Sequence, residues 1–163
     1  MIHRKFPIAK KRRGNRAAKR LRRGGTMVES AIVLSVVALL LLGMLELSLA
    51  LVRSEVMAEA ARRAARAAIV RGENAPNALG TWGPAELEVL GGDDHPVADA
   101  IAPILMTIDP DLVTIRIEWP DGGNAVDDRV EATVTCQHQS VVPLISNYVS
   151  IPLRGKSVMR VAH

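Results

Sequence analysis

The chain has 163 residues, enough for one modest domain and some additional segments, and its formal net charge of +4 averages two segments of opposite charge. Residues 1–24 hold 11 lysines and arginines and no acidic residue, whereas the remainder holds 10 basic and 17 acidic residues and is net −7. Aromatic residues make up only 2% of the chain and Cys136 is the one cysteine, which excludes an aromatic-rich core and an intrachain disulfide. Packing therefore rests on Ala, Val, Ile, Leu and Met.

The first element is the basic block that ends at Arg22 and Arg23. Like charges at this density repel, so residues 1–24 are expected to form a cytoplasmic leader without fixed structure. The block lacks interleaved aromatics and leads directly into an apolar run. It reads as an orientation signal and an anionic-lipid contact, with no call for nucleic acid. The apolar run extends from Ala31 to Val52, and Glu46 is its one ionisable residue. About 20 residues at 1.5 Å each cross a 30 Å hydrocarbon core, so the sequence predicts a transmembrane helix over residues 25–52. The basic excess before it places the N-terminus in the cytoplasm of an inner-membrane protein and the C-terminal part outside.

Residues 53–71 hold seven alanines and neither Pro nor Gly. They should continue the helix in water, with Val56, Ala60, Ala64, Ala67 and Ala68 on one smooth face and Gly72 as the stop. Residues 72–163 are expected to form a small extracytoplasmic domain. After a Gly- and Pro-rich loop, residues 86–90 read as a short strand, and Asp93 or Asp94 as the cap of a short helix that Pro103 ends. Residues 112–119 and 128–136 alternate apolar and polar residues and form an antiparallel pair across the turn Pro120 to Gly123. Residues 137–155, with Pro143 and Pro152, read as a long connection to a last strand at 156–162. The fold class is α+β: a long N-terminal helix, transmembrane in its first half, packed on a small antiparallel sheet of three or four strands.

The functional signal lies where leader and span join, in the sequence RRGGTMVESAIVL. A cut after Gly24 would make Gly25 the first residue and Glu29 the fifth. This arrangement resembles the processing site of type IV prepilins and pseudopilins, which have a basic leader ending in Gly, Glu at position five and an apolar helix. A carboxylate at the start of a membrane helix is costly unless it is paired, and the N-terminal end of the helix dipole favours it there.

The longer stretch from Gly24 to Gly72 resembles the TadE-like family of tight-adherence minor pseudopilins. The features that carry this are Gly25 to Glu29, then Gly43 and Glu46, then the Ala/Arg-rich helix from Ala58 to Ala68. The resemblance implies cleavage by a prepilin peptidase and a role in assembling a tight-adherence pilus alongside other pseudopilins or pilus-assembly subunits. It implies an assembly role for Glu29, and for Glu46 either that role or simple contact with interfacial water. It also implies that the chain is the substrate of an enzyme and is not itself one.

Other residues read more simply. Cys136 and His138 share a strand face without metal-ligand spacing, and Asp93, Asp94, Asp121, Asp127 and Asp128 read as turn and cap residues. No cofactor or small-molecule site is expected. Two alternatives differ in processing. One is a domain secreted by signal peptidase cleavage after Ala50, and the other an uncut single-pass anchor for a periplasmic interaction domain.

Overall fold

A computed structural model of the chain describes residues 16–140 and 150–162, with side chains from residue 25 onward apart from Gln139. The first part of the basic leader and the Pro143 segment lie outside the described residues. The long helix, α1, runs Arg16–Ile69. Residues 16–24 are thus helical, contrary to the expectation of an unstructured leader. The reason is local, because Arg, Lys, Leu and Ala are all strong helix formers and an apolar helix follows that propagates backward at little cost. The helix also stops at Ile69, two residues before the expected end.

The chain divides into two compact units, residues 1–43 and 44–163. In the first, every described side chain is exposed, including Leu34 and Leu39 at 69% and 70%. α1 holds the one stretch among the described residues that is long and apolar enough to cross a membrane. Its serines suit such an environment, since Ser30 and Ser35 each donate 2.8 Å hydrogen bonds to the carbonyls of Thr26 and Ala31 one turn back.

The second unit places the end of α1 with a four-stranded antiparallel meander in the order β1-β2-β3-β4. The strands are β1 (Leu87–Leu90), β2 (Val113–Glu118), β3 (Arg129–Gln139) and β4 (Ser150–Arg160). The predicted α+β class is the observed one. Val113, Ile115 and Ile117 on β2 are buried, as are Val130, Ala132, Val134 and Cys136 on β3, so the period-two reading holds. The expected long connection over residues 137–155 is a correction, because β3 continues to Gln139 and β4 begins at Ser150. Pro152 therefore lies inside a strand, paired with Gln137. β4 is an edge strand, the place in a sheet where a residue without an N–H is best tolerated, since alternate amides there face away from the sheet.

A short helix, α2 (Pro96–Ile101), buries Val97, Ala98 and Ile101. Its cap is His95, whose Nδ1 accepts from the Val97 amide at 3.2 Å, and neither Asp93 nor Asp94 takes that place. Asp93 instead accepts the Leu90 amide at 2.8 Å and closes the turn before the helix. Pro103 tightens the chain into a single 3-10 turn, as its ring demands.

The α1 face that meets the core consists of Met57, Ala60, Ala61, Ala64, Ala65 and Ala68, all fully buried. Their spacing of three and four is one helical stripe. Met57 joins the expected face, on which Val56 is half buried and packs against the core, and Ala67 is only half buried. The stripe lets backbone approach backbone. A Cβ on Gly155 of β4 would collide with the Met57 carbonyl and the Ala58 amide nitrogen.

The top of the helix is fastened by polar groups. The Ile69 carbonyl accepts from the Ala162 amide at 2.9 Å, which satisfies a helix-end acceptor with the tail of the last strand. Asn124 is buried, accepts from Trp119 Nε1 at 3.0 Å and donates to the carbonyls of Arg71 and Trp82. The Arg71 guanidinium lies 4.2 Å over the Trp82 ring. Gly83, at φ +84°, lets the loop pass against the Trp119 ring, with no room for a side chain.

Gly155→Ala should destabilise the full chain by about 1–3 kcal/mol, the usual cost of overpacking a filled interface. Chemical unfolding of the detergent-solubilised protein measures this, and a wild-type midpoint would contradict the close approach.

Candidate functional site at the base of the sheet

Burial along α1 begins at Glu46. All described residues from Gly25 to Leu45 are exposed, whereas Glu46, Leu49, Ala50, Arg53 and Ser54 are half buried and lead into the fully buried stripe at Met57. The positions 46, 49, 50, 53 and 57 follow the same helical spacing, so they continue the face that carries the sheet.

At the lower end of that face lies a polar cluster. His138 is 1% exposed and extends the buried row of β3 by one more step. Its Nδ1 is 2.8 Å from an Arg53 guanidinium nitrogen, and its Nε2 is 2.9 Å from Glu46 Oε1. A guanidinium only donates, so Nδ1 is the acceptor and the ring proton resides on Nε2, which donates to the Glu46 carboxylate. One tautomer thus links a cation and an anion seven residues apart on the helix to the end of a strand. The Glu46 side chain is 13% exposed, which makes this a nearly desolvated pair. Removing one member would strand the others away from water.

Cys136, two residues earlier on the same strand face, is also buried, and burial pushes its thiol above the ordinary value against a smaller opposing effect of Arg53. Beside the cluster is a cleft of about 240 Å³ lined in part by Arg53, Thr107, Asp109, Leu112, Gln137 and Ser140.

The other predicted site residues are elsewhere. Gly24 and Gly25 lie within α1, and Glu29 is exposed on it. Gly25 and Glu29 are four residues apart and share a helix face. The aspartates serve turns: Asp128 accepts the Ala125 amide at 2.9 Å, and Asp121 accepts the Arg129 amide at 2.8 Å and pairs with its guanidinium. That guanidinium holds the Asp121 carboxyl at about 2, below the usual 3.8. Among the described residues no three His, Cys, Asp or Glu side chains come together as a metal site.

The involvement of His138 and Arg53 was missed from sequence. The shared strand face of Cys136 and His138 was read from sequence, but not the consequence that a histidine on the core face needs polar partners. Arg53 carries no such signal, since it reads as one of several basic residues after the span.

A double-mutant cycle of Glu46→Gln and His138→Leu should give a coupling of about 1–3 kcal/mol in unfolding free energy, the range for residues in one buried network. Strict additivity would mean that the pair is only adjacent.

Residues 24–66 match the family described as TadE-like protein. The match covers the predicted processing site, Glu29, Gly43, Glu46, Arg53 and the alanine stripe as far as Ala65, and stops before the sheet. Comparison with curated proteins and with solved structures finds no match.

Proposed function

We propose that this TadE-like chain is a single-pass inner-membrane pseudopilin, cut after Gly24 by a prepilin peptidase and acting in the assembly of a tight-adherence pilus or a related secretion apparatus. The observation that carries this reading is that the family match begins at Gly24, where the basic block ends and the apolar helix starts. In this role the chain is a peptidase substrate and an assembly component, with no catalysis of its own. Its partners are the peptidase and other pilin-like subunits.

The helix geometry supports a definite membrane placement. From Gly25 to Glu46 the helix is about 32 Å long, close to one hydrocarbon thickness. All of its described side chains before Glu46 are exposed, and burial against the sheet starts at Glu46. The outer membrane boundary then falls at Glu46, with the leader in the cytoplasm and the sheet outside. After cleavage the Gly25 amine and the Glu29 carboxylate, on one helix face, are matched in charge. The carboxylate is also available to the amine of a neighbouring subunit, which would satisfy its charge in lipid.

The structure weighs against release by signal peptidase. Cleavage after Ala50 would detach Glu46, the carboxylate to which buried His138 donates. The freed domain would keep a desolvated imidazole proton without its acceptor.

N-terminal sequencing and mass measurement of the protein from native membranes should give a start at Gly25. A start at Leu51 in a soluble fraction, or an intact Met1 in membranes, would contradict processing. Glu29→Ala should leave the Gly25 start intact while surface pilus assembly falls at least about tenfold, the scale of one lost charge-assisted interaction.

A further inference from the structure

The cleft beside His138 has a composition that its position makes informative. Among the described residues its lining holds one cation, Arg53, one anion, Asp109, the neutral polar residues Thr107, Gln137 and Ser140, the buried Ile108 and Cys136, and the half-exposed Leu112. At about 240 Å³ it is smaller than the roughly 300–1,000 Å³ of a pocket for a drug-sized ligand, so it admits a small group and not an extended one. Met106, next to the lining residue Thr107, is 86% exposed. Leu51 and Val52, which precede Arg53 on α1, are 66% and 60% exposed.

Depth follows from the hydrogen bonds. The Arg53 guanidinium bonds to His138, which bonds to Glu46, so the guanidinium reaches down toward the residue at which burial begins. With the outer boundary of the hydrocarbon at Glu46, this is the headgroup layer, where long basic side chains meet phosphates.

We propose that this cleft binds the headgroup of a zwitterionic phospholipid carrying a primary ammonium, of the phosphatidylethanolamine type. The phosphate meets Arg53 and the neighbouring hydroxyl and amide donors. The ammonium meets Asp109, whose Oδ1 already accepts the Asp111 amide at 3.1 Å and is thereby held in place. The acyl chains follow the exposed apolar residues before Arg53. An anionic headgroup without an ammonium would leave Asp109 facing negative charge, and a quaternary ammonium has no N–H to donate to it.

This inference rests on the membrane placement proposed above, whose failure would show separately as recovery of the protein outside the membrane fraction. The test is native mass spectrometry of the full-length chain in detergent with equimolar phosphatidylethanolamine, phosphatidylglycerol and phosphatidylcholine of the same acyl chains. The wild type should retain phosphatidylethanolamine about tenfold over either competitor, the scale of one charge-assisted hydrogen bond. Asp109→Asn, which keeps an acceptor for the Asp111 amide, should abolish that preference and raise retention of phosphatidylglycerol. Equal retention of the three lipids, or an unchanged preference in the variant, would overturn the site. Retention of soluble phosphoethanolamine as firmly as the lipid would overturn its assignment to the membrane.

Discussion

The architecture depends on one close contact, that of the α1 backbone at Met57 and Ala58 with Gly155 of β4. No side chain fits between them, so the helix must present its smallest surface there. The row Ala60, Ala61, Ala64, Ala65 and Ala68 meets that requirement while keeping a good helix former at every step. Larger apolar residues come from the other layer, where Ile101, Ile115, Ile117, Val113, Val130 and Val134 fill the core. A helix rich in alanine has little apolar area of its own to bury. Close approach compensates through many dispersion contacts, and the polar fastenings at Ile69 and Asn124 hold the top of the helix in place.

With the helix pinned at Met57, strand register sets what lies below. Val134 pairs with Gly155 and His138 with Ile151, so four residues of β3 lead from the close contact to the imidazole. On the helix, eleven residues lead from Met57 back to Glu46. The two paths are of similar length, roughly 14 Å at strand rise and 16 Å at helix rise. They meet in the Glu46–His138–Arg53 cluster. The lower end of the unit is thus held by ionisable side chains, whereas the upper end is fastened by the buried Asn124 amide and backbone carbonyls. Such a cluster adds little net stability over an apolar replacement, but it fixes which helix turn meets which strand residue. That register sets which turn of α1 seats the end of β3.

Much of this was legible in the sequence. The span, the continuation of the helix and the two central strands follow from periodicity and from the absence of Pro and Gly. The junction at Gly24, Gly25 and Glu29 follows from the abrupt change from basic to apolar. Local competition obscured other parts. Pro152 argued against a strand because its exemption depends on β4 being an edge, which is a fact of topology. His95 took the cap of α2 from the aspartates because Asp93 closes the preceding turn. The helical start at Arg16 shows propensity outweighing like-charge repulsion next to a stable helix. Of the predicted site, Glu46 stood out as the one ionisable residue of an apolar run, but its partner lies 92 residues away and becomes visible only once β3 is continued to its end.

The central claim is that one continuous helix changes environment at Glu46, from lipid on all sides to sheet on one side. Spin labels placed singly from residue 36 to residue 57, in a Cys136→Ala background reconstituted in bilayers, test it most directly through accessibility to oxygen and to a water-soluble nickel complex. The account predicts uniform lipid-like accessibility up to Leu45. From Glu46 onward it predicts a 3.6-residue alternation, with the face of 46, 49, 50, 53 and 57 shielded from both reagents. Lipid-like accessibility on every face through Val52 would place the boundary a full two turns farther out and contradict the role of the Glu46–His138–Arg53 cluster as the seat of the outer domain.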